Sequence, residues 1–190
     1  MEIVPTAIPE VKIIIPRLYG DARGYFFESW NAAKYAEAGI CADWIQDNES
    51  KSRFGVLRGL HFQAAPYTQA KLVRVIEGAV LDVAVDIRRG SPTFGKHVAI
   101  ELSSENKYQL YIPRGFAHGF AVLSETVLFA YKCDNAYMPS HERGIAFDDP
   151  ALGIDWKVNL SEYILSAKDT QNPLFADAEL FDYNTREYLQ

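Results

Sequence analysis

Apolar and polar positions along this chain fall mostly in a two-residue rhythm. Residues 79–87 show it best: Leu81, Val83, Val85 and Ile87 face one way, and Asp82, Ala84 and Asp86 the other, as on a strand with two distinct faces. Lys71 to Glu77 forms the preceding strand, with Gly78 as the turn between them. Similar patterns at 97–102, 108–112, 117–123 and 126–133 predict four more strands, and Gly90-Ser91-Pro92-Thr93 is a turn by composition. Upstream, 44–48 and 54–63 read as strands. An early strand within 8–18 is centred on Val11-Lys12-Ile13-Ile14-Ile15 and punctuated by Pro9 and Pro16. Tyr19 to Gly24 is expected to turn, and Tyr25 to Trp30 to form an aromatic strand. Residues 31–38 are the expected helix, capped by Asn31 and ended by Gly39 in a left-handed conformation. From about Ser161 the composition becomes mixed and more helical, and a polar tail starts at Asp177.

Many short strands at close spacing specify a sandwich or barrel. One long β section, about 40–150, between two mixed ends points to an all-β-dominated, cupin-type jelly-roll barrel with short flanking helices. An open sandwich of another topology is the alternative. The 190 residues suit one domain, 1–190, without repeats, linkers or low-complexity runs. Eleven Tyr, eleven Phe and three Trp favour strands over a helical bundle. The net charge of −6 argues against non-specific nucleic-acid binding but leaves room for an anionic small ligand held by a few local cations. Cys41 and Cys133 are isolated, which speaks against a structural zinc site. The N-terminal residues are neither basic nor a long apolar run, so a cytoplasmic protein without a membrane span is expected.

Four stretches carry polar groups where a buried strand would exclude them. Val56-Leu57-Arg58-Gly59-Leu60-His61-Phe62-Gln63 places a cation, an imidazole and an amide on an apolar strand, which reads as the floor of a polar pocket. It reads equally as a core histidine bonded to a carbonyl beside a strand-end arginine. Pro113-Arg114-Gly115-Phe116-Ala117-His118 fits the Pro-x-Gly-x-x-His half-motif of cupins, whose turn places the histidine inside the barrel. His61 and His118 without a glutamate at ligand spacing make a poor metal site, so no metal is assigned. Tyr131 alternates with Phe129 and faces a barrel interior, as a core tyrosine or as a general acid, since a phenol with a reference pKa of about 10 stays protonated at neutral pH. Ser166-Ala167-Lys168-Asp169 holds a charge pair that reads as a solvated salt bridge unless the fold brings it to His61.

Together these stretches resemble the dTDP-4-dehydrorhamnose 3,5-epimerase family over almost the whole chain. The likeness includes Gly20-Asp21-Ala22-Arg23-Gly24 with Glu28, Gln46-Asp47-Asn48, Leu57 to Gln63, and Lys71-Leu72-Val73-Arg74. It continues through Asp82 to Arg88, Ser91 to Gly95, Pro113 to Phe120, Asp148-Asp149-Pro150 and Leu165 to Asp169.

The resemblance implies a homodimer that needs no cofactor and turns dTDP-4-dehydro-6-deoxy-D-glucose into dTDP-4-dehydro-L-rhamnose. It implies that His61 is the base, Asp169 its orienting carboxylate, Lys71 the stabiliser of the enolate oxygen and Tyr131 the acid on the other face. It further implies that Arg58 and Lys168 sit near the diphosphate, that His118 meets the sugar and that Tyr137 stacks on thymine. Arg23, Glu28, Gln46, Asn48 and Glu142 match substrate-contacting positions. The N-terminal strand crosses to the partner in that family, so Arg23 and Glu28 would serve the neighbouring site. Many members carry an aromatic just before the stacking tyrosine, where this chain has Ala136. The alternatives are a relative acting at one centre or moving the ketone, a metal-dependent cupin oxygenase, and a non-catalytic sugar-nucleotide-binding cupin.

Overall fold

The computed structural model describes residues 1–159 and 162–189. Its strands are β1 (Glu2–Pro5), β2 (Lys12–Ile15), β3 (Tyr19–Asp21) and β4 (Gly24–Phe26), then after helix α1 (Ala32–Glu37) come β5 (Gln46–Arg53), β6 (Leu57–Gln63), β7 (Lys71–Glu77) and β8 (Ala79–Asp86). They continue as β9 (Arg88–Arg89), β10 (His97–Ser103), β11 (Gln109–Ile112), β12 (Phe116–Val122), β13 (Thr126–Cys133), β14 (Glu142–Gly144) and β15 (Phe181–Asp182). One sheet runs β1-β2-β11-β7-β13-β5 and the other β10-β8-β12-β6-β14. The two form a jelly roll, as the strand spacing predicts.

Val73, Val75, Val127 and Phe129 of the first sheet and Val80, Ala84, Phe120 and Val122 of the second form the core between the sheets. The far face of the second sheet offers Leu57, Leu81, Val83, Val85 and Ala117, which the returning C-terminal segment covers with Trp156, Phe181 and Tyr188. Strand β8 is therefore buried on both faces, and its alternation separates two cores rather than core from solvent. Asp82 and Asp86 then stand fully buried and need partners. Asp86 accepts from Arg88 Nε at 2.8 Å and Nη2 at 2.7 Å, and from the Ser91 and Thr93 hydroxyls, both at 2.6 Å.

Several expected elements differ in extent. The early strand covers only Lys12–Ile15, because Pro16 lacks the N–H to continue the ladder. Strand β1, which pairs with it, was not expected. The supposed turn at 19–24 and the start of the aromatic strand form one two-stranded ribbon, β3 with β4, and no strand continues from Phe27 to Trp30. Helix α1 forms with the Asn31 side-chain Oδ1 accepting from the Lys34 N–H, and Gly39 has φ 71°. The strand expected at 44–48 is Gln46–Arg53. The C-terminal part is less helical than its composition suggests: its described helical turns are 3-10 turns such as Asp169–Gln171 and Glu187–Leu189. Ser161, the expected start of that part, lies outside the described residues.

Candidate active site

A cleft opens between the sheets in two lobes of about 260 and 410 Å³. His61, Lys71, His118, Tyr131 and Glu142 line both. The smaller lobe adds Gln46, Asn48 and Tyr137, and the larger adds Arg58, Ser166 and Asp169.

Strict alternation would put Arg58 and His61 on opposite faces of β6. The pairing of β6 with β12 shifts register between His118 and Phe120, and both residues line the cleft. Glycines permit this approach. A Cβ on Gly59 would stand 2.5 Å from Gly119 Cα, and one on Gly119 would stand 2.8 Å from the Arg58 carbonyl oxygen. His61 and His118 then become direct cross-strand neighbours.

The turn Asp169–Gln171 brings Asp169 to His61, 108 residues away in sequence, with Nε2 and Oδ1 2.5 Å apart. Asp169 is only 4% exposed. Ser166 Oγ donates to its other oxygen at 2.9 Å. Burial opposes ionisation of Asp169, but the His61 and Ser166 hydrogen bonds outweigh it and hold the carboxyl below its ordinary value. An ionised carboxylate can only accept, so the imidazole proton sits on Nε2 and the lone pair on Nδ1. Lys168 and Asp169 do not pair with each other: Asp169 reaches His61, while Lys168 pairs with Glu142.

Lys71 opens β7, and Tyr131 lies on the neighbouring β13, with Lys71 Nζ 5.9 Å from the Tyr131 ring centre. Neither polar end has a hydrogen-bond partner among the described residues. Desolvation pushes the Lys71 ammonium below its ordinary pKa and the Tyr131 phenol above its own. Tyr131 is thus a protonated donor at neutral pH, and Lys71 is an unpaired cation-forming group. His118 is pinned by Asp82, whose two oxygens both lie 3.0 Å from its Nε2, and burial pushes it below the ordinary histidine value. The sequence signal for Asp82 was an acid in mid-strand among Leu81, Val83 and Ala84, with no partner nearby in sequence.

Around this centre, Arg58 is held by Ser52 Oγ at 3.1–3.2 Å, and Gln46 donates to Asn48 at 2.8 Å. Tyr137 stands half-exposed at the rim with its hydroxyl donating to Glu142 at 2.6 Å. That bond is the main cause of its raised pKa. Arg23 and Glu28 do not join the cleft. Arg23 is fully exposed and paired with Asp21, and Glu28 is held by Lys34 and Asn31. The arm that carries them is fastened at its base, where buried Gln109 donates to the Ser29 carbonyl at 2.8 Å and accepts from Tyr35 at 2.9 Å. Its tip leaves Tyr19, Tyr25 and Phe26 exposed. Among the described residues no three His, Cys, Asp or Glu side chains converge as metal ligands, and no helix is long and apolar enough to cross a membrane.

A jelly-roll cleft that joins an oriented imidazole to a phenol and a buried lysine holds the kinds of group with which an enzyme moves protons on a small molecule. The dTDP-4-dehydrorhamnose 3,5-epimerase family matches residues 5–177. The dTDP-4-dehydrorhamnose 3,5-epimerase of Shigella flexneri is 52% identical over 95% of this chain and 99% of its own. The crystal structure of dTDP-6-deoxy-D-glucose-3,5-epimerase RmlC from Legionella pneumophila, in complex with dTDP-4-keto-L-rhamnose, superposes with a TM-score of 0.92. It is 51% identical, over 96% of this chain and 98% of that one. ChmJ, a 3'-monoepimerase from Streptomyces bikiniensis in complex with dTDP-quinovose, superposes with a TM-score of 0.89 at 31% identity, over 98% and 99% of the two chains. This chain belongs to the dTDP-4-dehydrorhamnose 3,5-epimerase family, and it is an isomerase.

Proposed function

We propose that this chain converts dTDP-4-dehydro-6-deoxy-D-glucose to dTDP-4-dehydro-L-rhamnose in dTDP-L-rhamnose biosynthesis, with His61 as base and Tyr131 as acid. The C4 ketone acidifies the hydrogens on C3 and C5. His61 Nδ1 removes one, and Asp169 stabilises the imidazolium that forms. The enolate oxygen meets Lys71, an interaction of about 3–4 kcal/mol in comparable oxyanion sites. Tyr131 returns a proton from the opposite face, most clearly at C5, which inverts the centre. No step calls for a cofactor.

The observation that carries this reading is the His61–Asp169 hydrogen bond in a cleft shared with two polar ends, on Lys71 and Tyr131, that have no hydrogen-bond partner among the described residues. Arg58 and Lys168 hold the diphosphate, the former with a fork suited to phosphate oxygens. His118 meets the sugar, Gln46, Asn48 and Glu142 complete the polar lining, and Tyr137 stacks on thymine. The protein acts as a cytoplasmic homodimer, and the exposed aromatics of the β3–β4 arm cross to the partner. Arg23 and Glu28 then reach the partner's nucleotide.

The test is proton NMR in heavy water with dTDP-4-dehydro-6-deoxy-D-glucose and a 4-reductase that traps the product. Deuterium at both C3 and C5 with a trapped L-rhamnose nucleotide is the expected result. The likeness to a 3'-monoepimerase favours one second reading, a single-centre epimerase. Deuterium at one carbon only would select it.

A further inference from the structure

Buried Gln63 lies two residues beyond His61 on β6 and is only 5% exposed. Its side-chain Nε2 donates to the Ala136 carbonyl at 3.1 Å and to the Tyr67 carbonyl at 2.5 Å. Its Oε1 accepts from the Met138 N–H at 2.6 Å. The bonded backbone groups of 136 and 138 flank one residue, Tyr137. The Gln63 amide therefore takes the place of a neighbouring strand, satisfying both backbone groups that bracket the rim tyrosine. The Tyr137 ring is free of the core, and its hydroxyl is tied to Glu142, the cross-strand neighbour of Gln63. Two fixed points on adjacent strands thus set the direction of an exposed ring.

The surrounding loops support the same clamp. Asn135 donates to the Pro66 and Thr68 carbonyls at 3.1 and 3.3 Å, and Gln69 donates back to the Asn135 carbonyl at 2.8 Å. The loop after β6 and the loop after β13 therefore form one unit, and Gln63 is the member that grips the two peptide groups flanking Tyr137. We propose that Gln63 is a positioning residue that orients Tyr137 for nucleotide binding from the strand that carries the base. This rests on the reading of Tyr137 as the thymine-stacking residue. An amide is required here because it alone offers two donors and an acceptor in one plane. Leucine offers neither, and glutamate faces two carbonyl oxygens with a carboxylate.

Titration calorimetry with dTDP on Gln63→Leu, Gln63→Glu, Tyr137→Ala and Gln63→Leu/Tyr137→Ala tests it, together with steady-state kinetics on the sugar nucleotide. Loss of base stacking in Tyr137→Ala should weaken dTDP about 5- to 150-fold. Each Gln63 variant should lose a similar factor, with the loss falling on KM rather than kcat. The double variant should bind no worse than Tyr137→Ala alone, since both changes remove one contact. Gln63→Glu, close in shape to the parent, serves if Gln63→Leu does not fold. If the Gln63 variants bind dTDP like the parent, or if the losses multiply in the double variant, Gln63 does not act through Tyr137. If Tyr137→Ala itself binds dTDP normally, the stacking reading fails and the proposal with it.

Discussion

Asp169→Asn isolates what the carboxylate adds beyond its shape. Asparagine keeps the volume and an acceptor oxygen for His61 Nε2, but not the charge. In the native site the imidazolium formed during proton abstraction stands beside a nearly fully buried carboxylate, with its Nε2 2.5 Å from Oδ1. With charge centres about 4 Å apart and an effective dielectric of about 20, their attraction is roughly 4 kcal/mol. The His61 side chain is 28% exposed, so solvent takes part of this. The expected loss is about 3 kcal/mol, or roughly 10²-fold in the rate of proton abstraction. A flipped asparagine amide would donate to Nε2 and drive the proton to the wrong nitrogen, which raises the ceiling to about 10⁴-fold, as when a triad aspartate is replaced. The assay is deuterium incorporation at C3 and C5 from heavy water under saturating substrate. Calorimetry with dTDP serves as the control that the cleft is intact. Exchange within threefold of the parent would refute the orienting role. So would a loss matched entirely by weaker dTDP binding.

Three further outcomes are expected. Tyr131→Phe should lower epimerisation by about 10²-fold or more while sparing isotope exchange, as follows when an acid but not the base is removed; equal loss of both would count against a separate acid. Two impaired variants, one altered at His61 and one at Arg23 and Glu28, should regain activity when mixed, with up to roughly a quarter of the sites complete if subunits exchange freely and the arm serves the partner's cleft; no gain over the separate proteins would place the arm on its own cleft. Asp86 is held below the ordinary carboxyl value: burial opposes ionisation, and hydrogen bonds from Arg88, Ser91 and Thr93 outweigh it. Its stabilisation is therefore complete above about pH 4 and is lost as pH falls through the lower folded-state value. Asp86→Asn, which leaves buried Arg88 only the Glu10 carboxylate at 3.2 Å, should cost about 3 kcal/mol at neutral pH, the low end for breaking a buried pair, with a smaller penalty in acid, read from urea midpoints against pH.

What the sequence disclosed depended on how local the cause was. Lys71–Glu77 forms as a strand with the expected bounds, because its apolar, β-branched run stops at a turn residue, Gly78. Helix α1 was legible from one side-chain cap and one glycine. The early strand is shorter than its apolar run because Pro16 ends it, and the aromatic strand stops at Phe26 because its partner, β3, is three residues long. In β6 the period itself fails: Arg58 and His61 share the cleft only through a register shift that depends on Gly119 of another strand. Long-range polar partners were equally hidden. Nothing within ten residues of His118 announces Asp82, 36 positions earlier, and nothing near His61 announces Asp169. The family resemblance supplied the His61–Asp169 link, whereas the residues alone supplied only the need for it. An imidazole on an apolar strand must find a polar partner or remain a penalty. The same reasoning makes Gln63 informative. A buried amide on the strand of the base has three hydrogen-bonding capacities to satisfy, and all three are spent on loop backbone, two of them on either side of Tyr137. A glutamine kept in the core for packing alone would have no reason to aim its polar end at the two peptide groups that set one exposed ring.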